Sequence, residues 1–155
     1  MQKATFAAGC FWSVQAEFDK LPGVEKSTVG YTGGAKNNPT YEQVCSTDTG
    51  HYEALLIEFN ESELSYETLV ETFWKVHDPT QADGQGPDIG SQYKSVIFYH
   101  SQEQKELAQK AKDAEQKKRG VTIATQILPS TQFYAAEEYH QKYLTKKKLL
   151  SCNFH

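Results

Sequence analysis

Apolar positions along this chain follow two rhythms, one of two residues and one of three to four. Ala4-Thr5-Phe6-Ala7-Ala8 is a short apolar run that stops at Gly9, and beyond it Phe11, Val14, Phe18 and Leu21 recur at helical spacing. This predicts a strand, a sharp turn and an amphipathic helix. Leu21-Pro22-Gly23 breaks the pattern, and Val24 to Tyr31 reads as a second strand. Pro39 to Cys45 reads as a short extended piece. From His51 to Phe59 a two-residue periodicity predicts a strand, apolar at its centre on both faces, with His51, Glu53, Leu55, Ile57 and Phe59 on one face and Tyr52, Ala54, Leu56 and Glu58 on the other. Glu53 thus shares a face with three apolar side chains; it lies either at the exposed strand end or partly buried, and burial would raise its pKa. Ser65 caps a helix to about Val76, with a broad face of Leu69, Val70, Phe73, Trp74 and Val76. Ser95 to Tyr99 is a strand. Ser101 to Gln104 has capping-box form and opens a polar helix through Arg119, closed by Gly120, with a thin stripe of Leu107, Ala111 and Ala114. Val121, Ile123, Thr125 and Ile127 alternate as a last strand, and Phe133 to Lys142 contains the pattern of a further short helix.

The resulting order, β-α-β-β-α-β-α-β, predicts an α+β fold: a two-layer α/β sandwich with helices packed on a mixed β-sheet and a ferredoxin-like core. A purely parallel βαβα repeat fits less well. No repeat or linker interrupts the chain, so residues 1–155 are expected to form one catalytic domain with a C-terminal tail from about 144. Two loops stand out. Gly30 to Pro39 is dense in turn formers but lacks the residue order of a phosphate-binding loop. Pro79 to Gln92 has no periodicity, and its length and its polar residues Gln85, Asp88 and Gln92, with the adjoining Tyr93, point to function.

Composition narrows the classes. A chain of 155 residues, 38% hydrophobic and 12% aromatic, is long enough to bury one core and rich enough in rings to line a pocket. A net charge of −4 and a single arginine, Arg119, argue against a nucleic-acid partner; Lys117-Lys118-Arg119 and Lys146-Lys147-Lys148 read as solvated helix faces. No apolar run is long enough for a transmembrane helix, and the N-terminus does not read as a signal peptide, so a cytoplasmic monomer is expected. Three dispersed cysteines, Cys10, Cys45 and Cys152, suit neither a disulfide framework nor a C-x-x-C pair, since position 13 is Ser13.

Cys10 carries the chemical interest. It falls at the start of the first helix, where free N–H groups and the helix dipole favour a thiolate. A cysteine phosphatase is excluded, because the residue six beyond Cys10 is Ala16 and not arginine. The five histidines show no metal-ligand spacing, so neither a metal nor another cofactor is expected. A cysteine hydrolase using His51 or His77 as base remains open, as does a non-enzymatic aromatic-rich binding domain. Redox chemistry needs an activated thiolate, a proton donor and a resolving thiol, for which Cys10, Glu53 and Cys152 are candidates. Cys45 reads as packed.

An ordered set of motifs then bears on the choice: Gly9-Cys10-Phe11-Trp12, Leu21-Pro22-Gly23-Val24, Gly30-Tyr31-Thr32-Gly33-Gly34, Pro39-Thr40-Tyr41, Gly50-His51-x-Glu53, His77-Asp78-Pro79 and Gln85-Gly86-x-Asp88-x-Gly90-x-Gln92-Tyr93. In sequence and spacing this set resembles peptide methionine sulfoxide reductase A, across most of residues 4 to 100. The resemblance implies reduction of the S epimer of methionine sulfoxide, in oxidised proteins or free. It gives Cys10 the role of nucleophile, Glu53 that of proton donor, and Tyr41 and Tyr93 that of hydrogen-bonding the sulfoxide oxygen. Phe11 and Trp12 become the walls of a methyl pocket, and Asp88 helps hold the substrate. It further implies a disulfide between Cys10 and a tail cysteine, here Cys152, reduced by thioredoxin. The chain departs from the family pattern at Ser13, Gln15, Gly84 and Pro87.

Overall fold

The computed structural model describes residues 2–9, 11–34, 39–46, 50–82, 84–85, 88–89, 91–137 and 140–141. In chain order the elements are β1 (Gln2–Ala8), α1 (Phe11–Phe18), β2 (Val24–Thr32), α2 (Tyr41–Ser46), β3 (Tyr52–Phe59), α3 (Tyr66–Val76), β4 (Gly84–Gln85), β5 (Asp88–Ile89), a 3-10 turn (Ser91–Tyr93), β6 (Ser95–Tyr99), α4 (Gln102–Arg119), β7 (Gln126–Pro129) and β8 (Phe133–Ala135). Six strands form one sheet in the order β7-β6-β1-β3-β2-β8. All neighbours are antiparallel except β6 and β7, which makes the sheet mixed. Its inner four strands, β6-β1-β3-β2, with α1 and α3 as the connecting helices, are the ferredoxin-like β-α-β-β-α-β unit that the element order predicts.

Both faces of β3 are covered, as its alternation requires. Leu55, Ile57 and Phe59 join Phe6, Phe11, Phe18, Leu69 and Phe73 in the main core between the sheet and the helices. On the other face, Ala54 meets Ala7, Val96 and Phe98 in a smaller cluster. The caps follow the sequence signals. Ser65 accepts from the Thr68 N–H, Ser101 from the Gln104 N–H, and Gly120 closes α4 in the left-handed region at φ 71°. Gln104 departs from a strict capping box. Its side-chain oxygen accepts from the His100 N–H at 2.9 Å and its amide donates to the Lys3 carbonyl at 2.7 Å, tying α4 to β1.

Four local readings are corrected. Pro39 to Cys45 is not extended: Tyr41–Ser46 is helical, opened by a reciprocal cap in which Gln43 N–H donates to Thr40 Oγ1 at 3.2 Å and Thr40 N–H donates to Gln43 Oε1 at 3.0 Å. The last predicted strand begins only at Gln126. Before it, Ile123 N–H bonds to Gln116 Oε1 and Ala124 N–H to the Pro79 carbonyl, so 121–125 pairs with α4 and a loop and leaves Val121 51% exposed. Phe133–Ala135, the first part of the stretch read as containing a short helix, is a strand and pairs with Gly30–Thr32. Gly30 permits this: a Cβ there would lie 2.3 Å from the Tyr134 carbonyl oxygen. The stripe on α4 is also displaced. Ala108 is buried with Leu107 and Ala111 packed beside it, and Ala114 is exposed.

Helix α3 ends at His77, which links it to the sheet. Its Nδ1–H donates to the Phe73 carbonyl at 2.6 Å, and its Nε2 accepts from the Ser95 hydroxyl at 2.7 Å, with Thr125 Oγ1 a further 2.7 Å from Ser95. This pattern assigns a neutral ring protonated on Nδ1. Burial lowers the imidazole from the ordinary 6.5 to about 4, against the opposing pull of the Phe73 carbonyl and Asp78. The folded value lies below the unfolded one, so this contribution to stability is complete above pH 6.5 and falls away as pH drops toward 4. Its size is about 3 kcal/mol. Chemical denaturation across that range should therefore show wild type losing its advantage over His77→Asn as the solution is acidified. A difference independent of pH would contradict the assignment.

Candidate active site

The site is built where β1 turns into α1. Gly9 has φ +91°, and a Cβ there would lie 2.7 Å from Gln85 Cγ and 3.9 Å from the Tyr93 carbonyl oxygen. Only glycine lets the long loop lie against this turn. Gln85 in turn grips the backbone of Asp78, donating to its carbonyl at 2.6 Å and accepting from its N–H at 2.7 Å. The segment carrying Tyr93 is thereby latched to the end of α3 and laid against Gly9. Tyr93 is buried, and its 3-10 turn packs against β3, the strand that carries Glu53.

Glu53 projects from the helix-covered face of β3, opposite Tyr31 of β2 in the sheet register. It is 1% exposed, and its Oε1 accepts from the Phe11 N–H at 3.3 Å. That N–H is the first of α1, a donor that the helix cannot use itself. The carboxyl group is thus anchored at the residue that follows Cys10 in the chain. Cys10 lies outside the described residues, as does Cys152 with the whole tail, and the side chains of Cys45 and Asp88.

Phe11 and Trp12 begin α1 and turn into a cluster of rings. Phe11 lies 5.8 Å from Tyr31 and 6.2 Å from Tyr41, and Trp12 lies 6.0 Å from Tyr41, centroid to centroid. Tyr41 reaches this place because α2 begins there. Phe11, Trp12, Tyr41 and Glu53, singled out from sequence, thus gather at one end of α1, with Tyr93 beside the turn that precedes it.

Sequence reasoning missed the residues that brace this group. Glu137 accepts from the Tyr31 hydroxyl at 3.2 Å through Oε1 and from the Tyr41 N–H at 3.2 Å through Oε2. Burial alone would raise its pKa, but the backbone N–H groups of Glu137 and Tyr41, with the Tyr31 hydroxyl, outweigh this and hold the carboxyl low. His140 is buried among the rings, and its Nδ1 accepts from the Trp12 indole N–H at 2.9 Å. Gln141 bonds both polar groups of the Val29 backbone and so secures this segment to β2. The available signal was Glu137-x-x-His140-Gln141, a polar group within an aromatic stretch, but its partners lie about a hundred residues away. The two histidines considered as bases are otherwise engaged. His51 Nδ1 accepts from the Gly34 N–H at 3.2 Å, and His77 uses both ring nitrogens on α3 and β6.

Comparison with known proteins identifies the arrangement. The family model described as peptide methionine sulfoxide reductase matches residues 2–155. A relative from Acidobacterium capsulatum, named peptide methionine sulfoxide reductase MsrA, is 51% identical over 155 residues, covering 99% of each chain. Among solved structures, reduced Mxr1 from Saccharomyces cerevisiae superposes with a TM-score of 0.92 at 36% identity, covering 99% of this chain and 90% of that one. Mxr1 in complex with Trx2 aligns with a TM-score of 0.66 at 29% identity, covering 92% of this chain and 84% of that one. The chain belongs to the peptide methionine sulfoxide reductase A family and is an oxidoreductase that reduces methionine sulfoxide.

Proposed function

We propose that Cys10 is the nucleophile and Glu53 the proton donor in reduction of the S epimer of methionine sulfoxide, free or in oxidised proteins. The observation that carries this reading is the buried Glu53 carboxyl hydrogen-bonded to the Phe11 N–H, one residue from Cys10 in the chain. A sulfoxide oxygen leaves sulfur only when protonated, and a carboxyl group in its acid form can supply the proton. The Cys10 thiolate attacks the sulfoxide sulfur while Glu53 protonates the oxygen. The hydroxyl then passes from the substrate sulfur to the Cys10 sulfur as the S–O bond and the transient S–S bond break. Methionine leaves and Cys10 becomes a sulfenic acid, so sulfur of the substrate gains the two electrons that sulfur of the cysteine gives up. Tyr41 and Tyr93 donate hydrogen bonds to the oxygen as its charge grows. Phe11 and Trp12 enclose the methyl group, and Asp88 orients the substrate.

The Cys152 thiol then displaces the sulfenic oxygen as water and forms a disulfide with Cys10. An external dithiol of the thioredoxin class returns both thiols, a reading supported by the Mxr1 structure with Trx2. Racemic methionine sulfoxide supplied with a dithiol tests the epimer and the reaction together. Methionine should accumulate to half of the substrate and leave the R epimer. Complete consumption, or residual S epimer, would overturn the proposal.

A further inference from the structure

We infer that Gln85 is a positioning residue whose amide clamps the end of α3 while its stem holds the turn before Cys10 in place. The inference rests on the proposed roles of Cys10 and Asp88. The head of the side chain takes both polar groups of one residue. Its Nε2–H donates to the Asp78 carbonyl at 2.6 Å, and its Oε1 accepts from the Asp78 N–H at 2.7 Å. A neighbouring strand would make the same pair of bonds, and here an amide makes them just beyond the extended backbone of His77 that ends α3. One partner donates and the other accepts, so the orientation of the amide is fixed.

The stem lies against Gly9, where a Cβ would come within 2.7 Å of Gln85 Cγ and 2.9 Å of its Cβ. The backbone is used as well: β4 pairs with β5 so that Gln85 stands opposite Asp88. Head, stem and backbone thus tie together the end of α3, the residue before Cys10 and the strand of Asp88. The clamp also closes the neck of the loop that begins at Pro79, whose carbonyl accepts from the Ala124 N–H at 2.7 Å. The Asp78 carboxylate is engaged elsewhere. It accepts from the hydroxyl and the N–H of Thr80, which hold its pKa low and keep it charged.

Two substitutions separate the clamp from simple packing. Gln85→Leu keeps Cβ and Cγ beside Gly9 and removes the polar head. Gln85→Glu keeps the length and an acceptor for the Asp78 N–H, but an ionised carboxylate cannot donate to the Asp78 carbonyl. Protonation restores that donor. The bond favours the neutral acid, and so does the Asp78 carboxylate, so the introduced group should titrate above the ordinary value of about 4.3. His77, lowered to about 4, stays neutral above that range. In neutral solution kcat/KM for methionine sulfoxide should fall roughly 10–100-fold in both variants, the scale for misplacing reacting groups by about 1 Å. On acidification toward about pH 5, the ratio of Gln85→Glu to wild type should rise several-fold, while that of Gln85→Leu stays flat. The Gly9 amide resonance follows the clamp without turnover. It should be displaced in both variants at neutral pH and return toward the wild-type position only in acidified Gln85→Glu. If Gln85→Leu fails to fold, the pH dependence of Gln85→Glu makes the comparison within one protein. A flat ratio in Gln85→Glu, or a Gly9 signal indifferent to that substitution, would overturn the inference. Turnover by Cys10→Ser would instead remove the reading on which it rests, while the Gly9 resonance still reported the clamp.

Discussion

Replacing Glu53 by glutamine is expected to lower kcat/KM for methionine sulfoxide by about 10²–10⁴-fold, the range for removal of a general acid. Glutamine keeps the shape of the side chain and an oxygen that can accept from the Phe11 N–H, so the turn into α1 should hold. What it lacks is an acidic proton. The leucine variant sharpens the argument. It removes a buried polar group from a face already occupied by Leu55 and Ile57. It also leaves the Phe11 N–H without its carboxyl acceptor, at a cost of about 1–3 kcal/mol partly offset by the added apolar contact. Activity should therefore fall to a similar level in both variants, while thermal unfolding moves little in glutamine and modestly in leucine. Steady-state kinetics and melting curves measured together check this. A glutamine variant that turns over at the wild-type rate would remove Glu53 from the proton-transfer step.

Serine at Cys10 should abolish turnover altogether, a loss of at least about 10⁴-fold. A hydroxyl cannot give up the two electrons that sulfur supplies, so no compensating change elsewhere restores the reaction. The positive φ of Gly9, the packing of Gln85 on it and the start of α1 at Phe11 belong to the neighbouring residues and do not depend on sulfur. The fold of the serine variant should match wild type in melting temperature. Methionine release at the wild-type rate would contradict the assignment of the nucleophile.

The parts of the architecture legible in the sequence are those written in local periodicity. The alternation of β3 placed Glu53 on an apolar face, and its burial follows from the covering of that face by α1 and α3. Ser65, Ser101 and Gly120 marked helix ends because capping is a contact between near neighbours. Thr40 and Gln43 carry the same kind of signal for α2, but Pro39 and Tyr41 beside them favour an extended reading. Residues 121–135 misled for a different reason. Their alternation is real, with Ile123 and Thr125 buried, but the hydrogen-bond partners that decide strand from loop are Gln116, Pro79 and Gly30, and no local pattern reports those. The same distance hid Glu137 and His140. Their roles exist only once β8 has added to the edge of β2 and delivered the following turn to α1 and α2.

The central claim, that methionine is made at the expense of the chain's own thiols, is tested most directly in a single turnover. Fully reduced protein is mixed with excess methionine S-sulfoxide and no external reductant, and methionine released and thiols remaining are counted per chain. One methionine should form and two thiols should be lost per chain, those of Cys10 and Cys152. Methionine released with the thiol count unchanged, or no methionine at all, would contradict it.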